Sequence, residues 1–149
     1  MELIQITVIS LLCIIAGIAK AAMDVHSFRY QYSVFTKFKS LFFALDSWKN
    51  KYRDGDKSKG EKFLGSTTIF VFVTDIWHFA QFVYRLCLIV AALMFGHIEV
   101  ITKHEILLSS TILYWINIVI GLLFIEIVSS LTFNLFYDKL LLAKTWKKK

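Results

Sequence analysis

The chain has 149 residues, 57% of them hydrophobic, no proline and a formal net charge of +6, and its mean hydropathy is +0.62. That composition excludes a disordered or collagen-like chain and describes uninterrupted helices in lipid better than a soluble core. Cys13 and Cys87 both fall inside apolar runs, without C-x-x-C spacing or a secreted cysteine framework, so they read as packing residues.

Three apolar runs are each long enough to cross a bilayer, which takes about 20 residues. The expected spans are 3–23, 69–101 and 106–137 within a single membrane domain covering 1–149. The first run ends near an A-x-A-like "AKA" at Ala19 to Ala21, but only Glu2 precedes it. A secretory signal carries positive charge there, so the segment is expected to be retained as a span.

Threading follows from the cations. Of 17 Lys+Arg, nine lie between Arg29 and Lys62 and five between Lys139 and Lys149, while the link between the second and third runs has only Lys103. The positive-inside rule then puts the N-terminus outside and the long loop and C-terminus in the cytoplasm. Basic loops orient membrane proteins, so the net +6 needs no nucleic acid to explain it, and no nucleic-acid partner is expected.

Residues 24–65 are expected to be an interfacial helix followed by a basic loop. In "HSFRYQYSVFTKFKSLFFALDSW", Phe28, Tyr32, Phe35, Phe38, Phe42 and Leu45 recur at helical spacing. Arg29, Lys37 and Lys39 lie off that face, which fits a helix lying among anionic head groups. "NKYRDGDKSKGEKF" is hydrophilic, with Gly55 and Gly60 as turn residues. Asp54, Asp56 and Ser58 imitate the start of a calcium loop, but Lys59 stands where glycine is required and the surrounding lysines oppose a divalent cation, so it reads as a solvated turn. The fold class is therefore all-α: a polytopic membrane protein of three transmembrane helices plus one amphipathic interfacial helix, with a basic tail over 138–149.

"SWKNKYRDGD" followed by "STTIFVFVTDIWH" resembles a pattern in small uncharacterised membrane proteins of bacteria of the Bacteroidetes group and their phages. The resemblance covers residues 47–78, implies a bacterial cytoplasmic membrane, and brings no activity or site residues with it.

The segment "VFVTDIWHFAQFVYR" sets polar groups into the second run. Thr74, His78, Gln81 and Arg85 fall on one narrow helical stripe flanked by Asp75. Ionisable groups in hydrocarbon cost at least about 2.5 kcal/mol each, so such a stripe should face protein or water. If the second and third spans pair across a turn near Thr102 and Lys103, His78 and Gln81 come level with Glu126. Asp24 and His26 reach the same depth from the first span. The expected site is thus a shared pocket of Asp24, His26, Asp75, His78 and Glu126 under the cytoplasmic head groups.

Two histidines and three carboxylates are sufficient ligands for a divalent Zn, Mn or Fe ion, which could polarise a lipid phosphate or activate water. In that reading Asp75, His78 and Glu126 do the chemistry and Arg85, Lys51 and Arg53 contact phosphate. The alternatives are an ion pair that holds the helices in register and a proton or ion relay. His97 and His104 at the outer turn read as solvated residues, and Gly17, Gly96 and Gly121 as too scattered for a packing motif. There is no phosphate-binding glycine loop, no G-x-S-x-G and no H-E-x-x-H.

The expected function is a small structural or accessory protein of the bacterial cytoplasmic membrane that binds anionic lipid and assembles with itself or a membrane partner. The alternative is a metal-dependent enzyme acting on a lipid head group. A holin-type phage lysis protein fits the long cytoplasmic loop poorly.

Overall fold

The computed structural model describes residues 2–95 and 110–142. It is all-helical, with three long helices: α1 (Glu2–Phe28), α2 (Ile76–Phe95) and α3 (Ser110–Leu135), the last running into a single π turn (Phe136–Leu140). All three are long and apolar enough to cross a membrane. The outer turn with His97 and His104 and the lysine-rich tail lie outside the described residues.

α1 is the central helix. In its apolar stretch 39% of residues are buried, against 17% in each of the other two. Small side chains make this possible, because they let backbones approach closely where no hydrophobic force drives helices together in lipid. One cluster joins all three helices: Ile9 and Cys13 of α1, Ala91 and Phe95 of α2, and Ile125 of α3. A second cluster, nearer the basic loop, packs Ala19 and Met23 of α1 on Ala80 of α2 and contains no residue of α3. There α3 keeps to α1. A Cβ added at Gly17 would lie 2.5 Å from the Ser129 carbonyl oxygen and 2.7 Å from Thr132 Cβ. Gly17 and Gly121 form no shared motif, yet each is a point of close approach, Gly121 beneath the Phe95 ring.

Near its C-terminal end α1 carries a Lys20–Asp24 ion pair at 2.7 Å. Beyond it, Arg29 reaches Asp138 at 3.6 Å and lies 4.6 Å from the centre of the Tyr137 ring. A third cluster of Val25, Phe35 and Leu142 closes this end, and the Val34 N–H donates to the Leu141 carbonyl at 2.9 Å. The long connection between α1 and α2 is thereby held against the C-terminal end of α3.

That connection departs from expectation. No amphipathic fourth helix forms; Tyr30 to Lys59 is a chain of short 3-10 turns. Ser33 and Ser40 are the reason. Each stands in extended backbone and accepts the N–H two residues on, from Phe35 and Phe42, so each begins a new turn. Serine side chains offer the backbone this local alternative to a continuing helix. The aromatic residues consequently do not share one face: Phe28 is 78% exposed and Phe35 only 5%.

The hydrophilic segment is an ordered hairpin. Tyr52 and Glu61 form an antiparallel bridge, with N–H donation from Arg53 to Gly60 O at 3.1 Å and from Lys62 to Lys51 O at 2.9 Å. Asp54 and Gly55 turn the chain at positive φ, 53° and 73°, where glycine carries no Cβ penalty. The Asp56 carboxylate accepts from Ser58 N at 2.9 Å and Ser58 Oγ at 2.8 Å. The buried Ser66 hydroxyl then ties the hairpin's exit to Lys51 O at 2.8 Å.

Candidate functional site

α2 begins later than the apolar run that contains it. Thr67 to Val73 form turns, and the helix starts at Ile76, so Asp75 occupies the N-cap position. A helix start leaves several backbone N–H groups without partners, and an aspartate there accepts one of them. Asp75 Oδ1 accepts the His78 N–H at 3.0 Å. Its other oxygen takes the Thr74 hydroxyl at 3.0 Å and sits 2.6 Å from His78 Nδ1. An ionised carboxylate only accepts, so His78 Nδ1 carries the proton and, in the neutral ring, Nε2 is left as an acceptor.

Asp75 is fully buried and the His78 side chain is 18% exposed. Burial pushes the Asp75 carboxyl upward, but the ring and backbone of His78, its charge and the Thr74 hydroxyl outweigh it. They hold the carboxyl below the ordinary carboxylate range. Asn50, which sequence reasoning passed over, closes the arrangement from the loop: its Nδ2 donates to Leu41 O at 2.9 Å and to Thr74 O at 3.2 Å. The "TDIWH" pattern did contain the signal, an Asp followed at the third position by a group that returns a hydrogen bond, which is the logic of a capping box.

The other expected site residues are elsewhere. Asp24 is bound at both oxygens by Lys20 Nζ, each at 2.7 Å. His26 is buried in an aromatic pocket, edge-on to Tyr30 and Phe35, with Nε2 3.1 Å from Ala44 O. Glu126 is exposed on α3, where among the described residues it accepts the Ser130 hydroxyl at 3.2 Å. It lines an open apolar groove with Leu88, Ile89 and Ala92 of α2. Its level on α2 is therefore ten or so residues beyond His78, about 15 Å along the axis.

The expected five-residue pocket is not assembled. Among the described residues no three His, Cys, Asp or Glu side chains gather to hold a metal ion. The register is the cause. Phe95 seats on Gly121, which slides α3 along α2 relative to a tight turn at Thr102 and Lys103. What remains is a two-membered Asp75–His78 pair, and its geometry serves a helix start.

The three expected phosphate contacts also separate. Lys51 and Arg53 lie in the hairpin, Lys51 with Nζ 5.5 Å from the centre of the Tyr52 ring and Arg53 with Nε donating to Glu61 O at 3.1 Å. Arg85 is exposed midway along α2. Comparison with protein-family models, curated proteins and solved structures finds no match.

Proposed function

We propose that this is a small structural or accessory protein of the bacterial cytoplasmic membrane. Its 29–75 connection forms a platform that binds anionic lipid, and its spans assemble with another membrane chain. One observation carries the lipid reading. The platform exposes large apolar side chains, Leu41 at 73%, Leu64 at 90% and Ile69 at 75%, in the same segment as the exposed cations Lys37, Lys39 and Lys62. Apolar groups at the acyl boundary with cations among phosphates are the two halves of interfacial binding. A patch of this kind on a soluble surface would instead be an aggregation hazard.

The short 3-10 turns suit the role, since each serine-started turn presents its aromatic or aliphatic residues without requiring one continuous helical face. The threading follows from the same cations: the basic platform faces the cytoplasm and α1 begins outside. The Asp75–His78 pair, with Asn50 bound to the Thr74 carbonyl beside it, fixes where the platform stops and α2 enters the bilayer.

The test uses the full-length protein in nanodiscs of mixed phosphatidylglycerol and phosphatidylcholine, reading the lipid that co-purifies after detergent extraction. Phosphatidylglycerol should be enriched around the wild type. Neutralising Lys37, Lys39, Lys57 and Lys62 together with glutamine should remove most of that enrichment and leave thermal unfolding unchanged. Equal lipid recovery from both proteins would sink the platform reading.

A further inference from the structure

The groove between α2 and α3 holds an ionisable group, Glu126, at a depth where lipid offers it nothing. It is an open apolar channel of ≈ 580 Å³, with Glu126 as its ionisable lining residue. Arg85 precedes Leu88, Ile89 and Ala92 by three, four and seven residues, so it continues the α2 wall of this groove one turn toward the basic loop. Both Arg85 and Glu126 are exposed. Glu126 lies midway along the apolar helix Thr111–Leu140, and Arg85 midway along Ile76–Phe95. Within the chain the ion pairs of the described residues involve neither of them.

We infer that this groove is the contact face for a second copy of the same chain, with Arg85 of each copy set against Glu126 of the other. The inference deepens the assembly half of the proposed function and is independent of the lipid platform. An acyl tail would fill the apolar channel but would leave a carboxyl and a guanidinium in hydrocarbon, and head groups do not reach the middle of a span. A two-fold axis along the membrane normal brings the same face from the second copy, at the same depth and with the complementary groups. Arg85 and Glu126 differ in depth by about one turn, ~5 Å, and an extended arginine side chain covers that offset. The residues between them, Leu88, Ile89, Leu122 and Leu123, supply the apolar body of the contact.

Two differently tagged full-length copies co-expressed in one membrane test this. Wild-type copies should co-purify and run as a dimer in mild detergent. Arg85→Glu paired with itself, and Glu126→Arg paired with itself, should each lose co-purification at least tenfold. Arg85→Glu co-expressed with Glu126→Arg should recover it, because every cross-pair in that heterodimer is again opposite in charge; a pair formed inside one chain would show no such recovery. If either reversal prevents folding, Arg85→Gln and Glu126→Gln replace them, and an unchanged dimer fraction would overturn the proposal. A monomeric wild type with lipid in the groove, or single reversals that dimerise as the wild type does, would overturn it equally. Lipid enrichment on the platform reads out separately, so failure of one reading leaves the other standing.

Discussion

The three helix seams of this protein are unequal, and the contrast between the two made by α1 and the one between α2 and α3 is instructive. Along α1, small residues bring backbones together and leave little to be filled: Cys13, Ala16 and Ala21 have no exposed surface. Between α2 and α3 the helices meet near Phe95 and Gly121, and then an open groove follows. Helices in lipid gain nothing from hiding apolar area as such, so association depends on close packing and on polar groups that need a partner. The α1 seams have the packing. The α2–α3 seam has the polar groups, Arg85 and Glu126, and lacks the packing.

The largest effect should come from overfilling a tight seam. Gly17→Leu would drive a side chain into the α3 backbone at Ser129; overpacking costs about 1–3 kcal/mol or more, and thermal unfolding in detergent should fall by several degrees. Gly121→Ala should be milder than Gly17→Ala, because the atoms it meets belong to the Phe95 ring and not to backbone. Equal losses from these two would remove the distinction between the seams.

Next in size is the start of α2. Asp75→Ala removes the N-cap acceptor and should cost about 0.5–2 kcal/mol, read as a lower unfolding temperature; no change would mean the cap geometry is not what holds this helix start. The effect should depend on pH. Because the folded carboxyl titrates below its ordinary value, its contribution is complete above about 3.9, the unfolded value, and is lost as pH falls through the folded value. The stability difference between wild type and Asp75→Asn should therefore stay constant above the unfolded value and narrow only in acid, and a difference that fails to narrow as pH falls through the acid range would argue against an ionised cap.

Asn50→Ala breaks two hydrogen bonds within the platform, one to Leu41 O and one to Thr74 O beside the start of α2. Each is worth about 1 kcal/mol, and protease cleavage within 29–75 should speed up before global unfolding is affected. The smallest effect is expected in the open groove. Leu123→Ala, at a side chain 57% exposed, should leave the unfolding of the monomer within about 0.5 kcal/mol of wild type. A large loss there would show that the groove is closed in the folded chain.

Much of this architecture was legible in the residues. The three apolar runs became three long helices, and the hydrophilic "NKYRDGDKSKGEKF" became a turn, here an ordered one. The expected interfacial helix does not form because Ser33 and Ser40 interrupt the apolar periodicity, their hydroxyls starting new turns. The role of Asp75 is not visible from the apolar run alone, because hydropathy does not mark where turns give way to helix, and the turns before Ile76 make that aspartate a cap. The five-residue pocket was a register argument, and register was the part the chain did not display. Gly17 and Gly121 could not be assigned roles by spacing, since each acts against a different neighbour.

The sequence by itself determined that there are three lipid-compatible helices and that the basic residues gather in one loop and the C-terminal tail, because run length and charge are properties each segment carries alone. Only the tertiary structure decided which groups share a depth and a face. Helices slide past one another until small residues and rings interlock, here Gly17 on Ser129 and Thr132 and Phe95 on Gly121. A slide of ten residues along a helix changes no local property while it moves Glu126 from His78 to Leu88.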